Sequence, residues 1–108
     1  MDVFITRHAR SRIRTRTKST AGEFKTLCEE KLYLVLGQAE YAEKRYTYVL
    51  FYLLRENKHY IGVLNKDQSV MVAVWKNGYH LPRRIPKLRR CQRRQIRCDV
   101  TDAMQFVR

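Results

Sequence analysis

The fold is decided by three apolar segments in the middle of the chain: residues 46–54 (YTYVLFYLL), 59–64 (HYIGVL) and 69–75 (SVMVAVW). All three are rich in β-branched and aromatic residues, which favour strands. Each connection between them is only four residues long, and such short connections join antiparallel neighbours rather than parallel strands. The segments therefore predict an antiparallel meander of three strands.

A turn signal follows the third segment. Asn77-Gly78 is typical of a tight hairpin turn, and residues 79–81 are expected to begin a fourth strand before Pro82 interrupts it. Within the second segment, Gly62 is interpreted as a glycine bulge in the strand.

Two helices are predicted before the meander. Thr6 is a suitable N-cap for a helix that begins at Arg7 and turns Ala9 and Ile13 toward the core. Thr20 and Glu23 form a capping box for a second helix. Gly37 is expected to mark the end either of that helix or of an extended segment over residues 33–36. The apolar stripe of that helix consists of Phe24, Leu27, Cys28 and Leu32.

The order of these elements predicts an α+β fold: N-terminal helices followed by a three- to four-stranded antiparallel sheet. With 108 residues the chain is expected to form a single domain. Residues 82–108 form a basic C-terminal extension, in which residues 87–97 can be read as helix or strand. Thr101 or Asp102 is expected to cap a last short helix.

Positive charge is concentrated in two flanks that contain no acidic residue. The chain carries 23 Lys and Arg against 10 Asp and Glu, a net charge of +13. Residues 7–18 and 83–97 together hold 14 of the 23 basic side chains: Arg7, Arg10, Arg12, Arg14, Arg16, Lys18, Arg83, Arg84, Lys87, Arg89, Arg90, Arg93, Arg94 and Arg97. Two such flanks repel each other unless a polyanion screens them. They predict nucleic-acid binding, with an acidic protein and an anionic membrane surface as weaker alternatives.

Other classes of protein are disfavoured by the composition. No apolar run is long enough for a membrane span, and the N-terminus has no signal-peptide pattern, so we expect a cytoplasmic protein. The chain has three cysteines, an odd number, and no two of them form a CxxC motif. This pattern favours reduced thiols over a disulfide framework. The histidines and cysteines do not follow a zinc-ligand spacing. We therefore expect neither a metal nor another cofactor.

The first predicted helix contains the most specific motif. Thr6, His8, Ala9, Arg12 and Arg16 form the pattern T-x-H-A-x-x-R-x-x-x-R. This pattern resembles the helix of small RelE-like toxins in the barnase, EndoU, colicin and RelE ribonuclease superfamily. The resemblance is carried mainly by residues 4–16. It implies a helix-then-sheet fold and a metal-independent endoribonuclease, for which an acidic antitoxin is an expected partner.

The chemistry of metal-free RNA cleavage fits residues of these types. Attack by the 2′-hydroxyl on the adjacent phosphorus needs a base, cations for the oxyanion and an acid for the leaving oxygen. His8 can serve as base or acid because its ordinary pKa is near neutrality, and Arg12 and Arg16 lie on the same helix face. Candidates for the partner acid are His59, Tyr79 and His80. The alternative is that each histidine packs locally and the arginines only bind phosphate.

Two functions from different classes are therefore open. The first is an RNA-directed protein, RNA being favoured over DNA, that is either a metal-independent endoribonuclease or a derivative that only binds. The second is a non-enzymatic regulator, such as a phage or mobile-element protein that binds nucleic acid or docks on an acidic partner. Tyr46, Tyr48 and Tyr52 alternate along one strand. They are expected either to stack on bases or to pack in the core.

Overall fold

A computed structural model of the protein describes residues 2–76 and 81–106. Three helices and a five-stranded mixed sheet make up these residues, so the α+β class is confirmed. The elements are β1 (Phe4–Ile5), α1 (Arg7–Arg16), α2 (Ala21–Glu29), β2 (Tyr33–Tyr41), β3 (Lys44–Leu53), β4 (Lys58–Asn65), β5 (Val70–Lys76) and α3 (Arg90–Phe106). The strand order in the sheet is β1-β5-β4-β3-β2.

The predicted three-strand meander corresponds to β3, β4 and β5, which pair antiparallel along the sheet. The sheet nevertheless has two more strands than those three segments supply. β1 pairs parallel with β5, through Phe4 with Val70 and Ile5 with Met71. Because β1 is only two residues long, it carries no periodic pattern that would predict a strand. The Asn77-Gly78 turn and most of the proposed fourth strand lie outside the described residues.

Both alternatives predicted for Gly37 are wrong, because the second helix ends earlier and the extended segment continues past Gly37. α2 ends at Glu29, and residues 33–41 form strand β2, which pairs with β3. The helix is closed by Lys31, whose φ of 53° is left-handed. The Leu32 amide donates to the Leu27 carbonyl at 2.8 Å and the Lys31 amide to the Cys28 carbonyl at 3.2 Å. This Schellman closure usually uses glycine, so a lysine in its place gave no signal in the sequence.

The C-terminal residues form one helix rather than a basic segment followed by a short helix. α3 runs without interruption from Arg90 to Phe106. Thr101 does not cap a new helix, because its hydroxyl donates to the Arg97 carbonyl one turn earlier, at 2.8 Å. Ile96 and Val100 are buried on one side of α3, so the basic C-terminal residues are anchored on the sheet.

The two faces of the sheet are covered by different helices. Phe24 of α2 meets the rings of Phe51 and Tyr60 edge-on, at 5.5 and 6.4 Å. Phe51 and Tyr60 are cross-strand partners, so both point to this face. His59 is the neighbour of Tyr60 and therefore points to the other face, where it contacts α3. In consequence, α2 and α3 lie on opposite faces of the sheet.

Both predicted N-caps are confirmed. The Thr6 hydroxyl accepts from the Ala9 amide at 3.1 Å, and the Thr20 hydroxyl accepts from the Glu23 amide at 3.2 Å. Ala9 and Ile13 are buried, as the spacing of the first helix predicts. These caps satisfy amides that have no partner inside the helix.

The interpretation of Gly62 as a bulge is wrong. Gly62 lies in regular register between Val49 and Val74, and the register shifts occur elsewhere, at Val35/Gly37 and at Val63/Leu64. Gly62 instead makes room for an aromatic ring. A Cβ atom at this position would lie 2.2 Å from Cε2 of Phe51.

The tyrosines of β3 are core residues more than a stacking surface. Tyr48 and Tyr52 are 7% and 4% exposed. Tyr48 stacks on Trp75 at 6.3 Å, and Tyr52 donates to Asn57 at 2.8 Å. Base stacking on these two rings is therefore ruled out in this structure.

Across the described ranges, no helix is both long and apolar enough to cross a membrane.

Candidate nucleic-acid interface

A stripe of arginines runs along α3. Arg90, Arg93, Arg94 and Arg97 follow the i, i+3, i+4, i+7 spacing that places side chains on one side of a helix. The buried residues Ile96 and Val100 hold a different side of α3 against the sheet. Packing of that apolar side leaves Arg90, Arg94 and Arg97 exposed and Arg93 half-buried.

The arginine stripe and His59 line a single cleft of about 720 Å³, together with Cys91. His59 comes from the start of β4 and forms part of the cleft because α3 crosses this face of the sheet. The cleft thus combines four guanidinium groups, which bind phosphate oxygens in two-point fashion, with one imidazole.

His59 is held in a defined state. Its Nε2 atom lies 3.1 Å from the Arg93 carbonyl oxygen. A carbonyl can only accept, so Nε2 carries the proton and the neutral ring keeps its lone pair on Nδ1. The ring also packs against Tyr52, with 5.1 Å between ring centroids.

The surroundings of His59 lower its pKa below the ordinary value of 6.5. Burial is the main cause, and the charges of Arg93 and Arg97 act in the same direction, while the hydrogen bond to Arg93 opposes them. The imidazole is therefore neutral at neutral pH. A neutral imidazole beside guanidinium groups can accept a proton from a bound hydroxyl group.

A second cleft of about 410 Å³ opens at the end of the sheet and shares His59 with the first. Its other lining residues are Asn57, Lys58, Tyr60 and Lys76. Lys76 is brought there by the β4–β5 register, in which it pairs with Tyr60. Two clefts with basic linings thus meet at one histidine.

The arginines of α1 and α3 have no carboxylate partner among residues 2–76 and 81–106. The ion pairs found there are Arg45 with Glu40 and Arg55 with Glu23, both at 3.5 Å. Neither pair involves α1 or α3. No ion pair within these ranges therefore offsets the positive charge of α1 and α3.

The α1 candidates lie apart from His59. His8 is exposed and belongs to α1, which packs against β5, whereas α3 packs against β3 and β2. Arg16 donates to the Val74 carbonyl at 2.7 Å and so satisfies the open edge of β5. Eight residues of helix, about 12 Å, separate His8 from Arg16. The structure brings His59 together with the α3 arginines and not with His8.

The remaining predicted residues are spread over the surface. Arg7, Arg10, Arg14 and Lys18 are exposed on and after α1, and Lys87 and Arg89 are exposed before α3, while Arg12 is half-buried. Arg10 also donates to the Ile5 carbonyl at 3.3 Å. Arg83 and Arg84 line a separate cleft beside Glu40. Tyr79 and His80 lie outside the described residues.

Lys58 and Lys76 are site residues that sequence reasoning missed. Lys58 precedes His59 in the chain, so its proximity to that histidine could have been noticed. Lys76 carries no such signal, because its position depends on the pairing register of β4 and β5.

In the part of the chain that the structure describes, no group of three or more His, Cys, Asp or Glu residues is placed to hold a metal ion.

Comparisons with family models, with curated proteins and with solved structures each gave no match.

Proposed function

We propose that this protein binds RNA and that the α3 cleft holds phosphate groups of its backbone. The observation that carries the proposal is the cleft itself, in which Arg90, Arg93, Arg94 and Arg97 surround His59 without a carboxylate partner in the described structure. Like charges held this close destabilise the folded chain. A bound polyanion removes that cost and gains several charge-assisted hydrogen bonds.

A second function, metal-independent endoribonuclease of RelE-like type, is favoured by the state of His59. The ring is neutral at neutral pH and one nitrogen is already fixed by the Arg93 carbonyl. This state suits a base that removes the 2′-hydroxyl proton of a bound ribose. The likeness of the opening motif to RelE-like toxins supports the same activity, and RNA is favoured over DNA because only RNA carries this hydroxyl.

The proposed reaction is an internal transfer at phosphorus. The 2′-oxygen, its proton taken by His59, bonds to phosphorus while the bond from phosphorus to the 5′-oxygen breaks. Arg93, Arg94 and Arg97 stabilise the negative charge on the non-bridging oxygens of the pentavalent phosphorus. The leaving oxygen takes a proton, and the products are a 2′,3′-cyclic phosphate and a 5′-hydroxyl. Tyr79 and His80 stay candidates for the acid, whereas His8 lies apart from His59 and does not.

RNA binding is tested by fluorescence anisotropy with a labelled single-stranded RNA at 50 to 200 mM salt. For four phosphate contacts, log K falls with log salt with a slope of about −2.8, at about 0.7 per contact. We expect Arg94→Gln/Arg97→Gln to reduce the slope by about 1.4. Lys44→Gln/Lys66→Gln is the control, because both lysines are exposed and lie at the opposite end of β3 and β4.

Two results would contradict the binding proposal. The first is an α3 variant that binds RNA like the control variant. The second is tighter binding to a polyglutamate peptide than to RNA at equal salt, which would favour the alternative of an acidic protein partner.

The cleavage reaction is tested by incubating RNA with the protein in EDTA and analysing the product ends. We expect 2′,3′-cyclic phosphate ends with the wild type and their loss with His59→Ala. An RNA with a single 2′-deoxy residue at the cut position should resist cleavage there. Intact RNA at high protein concentration would refute the nuclease and leave the binding proposal standing.

A further inference from the structure

The two clefts that meet at His59 are lined by basic residues from different parts of the chain. The first takes its arginines from α3, and the second takes Lys58 from β4 and Lys76 from β5. Both lysines are exposed, and neither forms an ion pair among the described residues. A ligand that reaches His59 from the α3 side therefore meets positive charge again as it leaves on the other side.

The end of the first basic flank reaches the same end of the sheet. Glu56, in the loop before β4, accepts a hydrogen bond from the Ser19 hydroxyl at 2.7 Å and one from the Tyr60 hydroxyl at 2.6 Å. The Lys18 backbone amide also donates a hydrogen bond to the Glu56 carboxylate. Lys18 is thus fixed close to the loop that leads into Lys58.

Arg16 strengthens this placement. Its guanidinium group lies 2.7 Å from the carbonyl oxygen of Val74, two residues before Lys76. Glu56 is an acidic group in this region and attracts the Lys58 ammonium group, while its two carboxylate oxygens accept hydrogen bonds from Ser19 and Tyr60. The end of the first basic flank and the α3 arginines are therefore both placed near the start of β4 and the end of β5.

We propose that Lys58 and Lys76 form a second phosphate subsite, so that one RNA strand passes from the α3 cleft over His59 to the end of the sheet. This inference rests on the proposed RNA binding at α3. It also specifies the form of the RNA. His59 is half-buried against α3, so the RNA backbone has to bend into the cleft to bring a 2′-hydroxyl within reach, which an unpaired strand does without the cost of breaking base pairs.

The test is the dependence of affinity on RNA length. Labelled single-stranded RNAs of 2 to 12 nucleotides and a hairpin of the same composition are titrated at fixed salt against four proteins. These are the wild type, Lys58→Gln/Lys76→Gln, Arg94→Gln/Arg97→Gln and the control Lys44→Gln/Lys66→Gln. With the wild type, affinity should rise with length to a plateau, and the single strands should bind more tightly than the hairpin.

The lysine variant is expected to reach its plateau at a shorter length than the wild type. Its salt slope for the longest RNA should fall by about 1.4, the value for two lost contacts, while its affinity for the shortest RNAs stays unchanged. A length profile equal to that of the control would overturn the second subsite, provided that the α3 variant binds weakly. If the α3 variant also binds like the control, the proposed function itself fails. Tighter binding to the hairpin would overturn the single-strand assignment.

Discussion

Replacing Gly62 with alanine is expected to be one of the most destabilising single-methyl changes in this protein. The new Cβ would lie 2.2 Å from Cε2 and 3.0 Å from Cδ2 of Phe51, and 3.2 Å from Cγ2 of Val49. Ordinary contacts at a Cβ begin at 3.4 Å. The Phe51 ring must therefore move by more than an ångström. It is fully buried and held edge-on by Phe24 and Tyr33, at 5.5 and 5.6 Å.

The size of the effect follows from three contributions. Overpacking a core costs about 1–3 kcal/mol, and each disturbed aromatic pair costs about 0.5–1.5 kcal/mol. Alanine returns about 0.5–1 kcal/mol, because glycine loses more backbone entropy than alanine in a strand. With both ring pairs of Phe51 disturbed, the free energy of unfolding should thus fall by about 3 kcal/mol. For a domain of this size that lowers Tm by roughly 12–24 °C.

The assay is thermal and urea unfolding followed by circular dichroism. Gly22→Ala is the matched control, because a Cβ there would meet only Thr20 Oγ1, at an ordinary 3.7 Å. Gly22 lies in α2, where alanine stabilises the helix by about 0.5–1 kcal/mol. Gly62→Ala/Phe51→Leu should recover part of the loss. A Gly62→Ala protein as stable as the wild type would refute the steric reasoning.

Three further predictions concern titration, thiol reactivity and a turn. Folding lowers the pKa of His59, so the unfolded chain binds more protons and stability falls as pH drops through 6.5. The decrease in Tm between pH 7.5 and pH 5.5 should therefore be smaller in His59→Gln than in the wild type. Burial raises the pKa of Cys28 to about 12, so a thiol reagent should label the two exposed cysteines and spare Cys28 until urea is added. Rapid labelling of all three cysteines in the native state would contradict the burial of Cys28. Ala42 and Glu43 both have positive φ, at 52° and 66°. The double substitution Ala42→Asn/Glu43→Gly should relieve about 1 kcal/mol of strain and raise Tm by roughly 4–8 °C. An unchanged Tm would argue against strain at this turn.

The elements that the sequence could predict are those with a local signal. The α1 and α2 N-caps rest on Thr6 and Thr20, each of which bonds an amide three residues away. The three central strands follow from long runs of β-branched and aromatic residues. The end of α2 could not be found in this way, because Lys31 adopts the left-handed conformation without being glycine.

The candidate site was predictable in its composition and not in its geometry. The sequence shows residues 83–97 as a basic stretch without acidic residues. Helical spacing places four of these arginines on one side of a helix. That this stripe faces His59 depends on how α3 crosses the sheet. The position of Lys76 depends on the register of β5 against β4. Such pairings join distant segments, and local sequence patterns do not encode them.

The parallel pairing of β1 with β5 has a consequence for the timing of folding. Phe4 pairs with Val70, about 65 residues later in the chain, and pairing of such distant segments is slow to form. At translation rates of 5–20 residues per second, roughly 3–13 s pass between the synthesis of the two partners. During this interval α1 has no β5 to pack against. The β1 edge of the sheet can therefore close only as β5 is completed, so the N-terminal basic flank is synthesised first but gains its contacts with the sheet late.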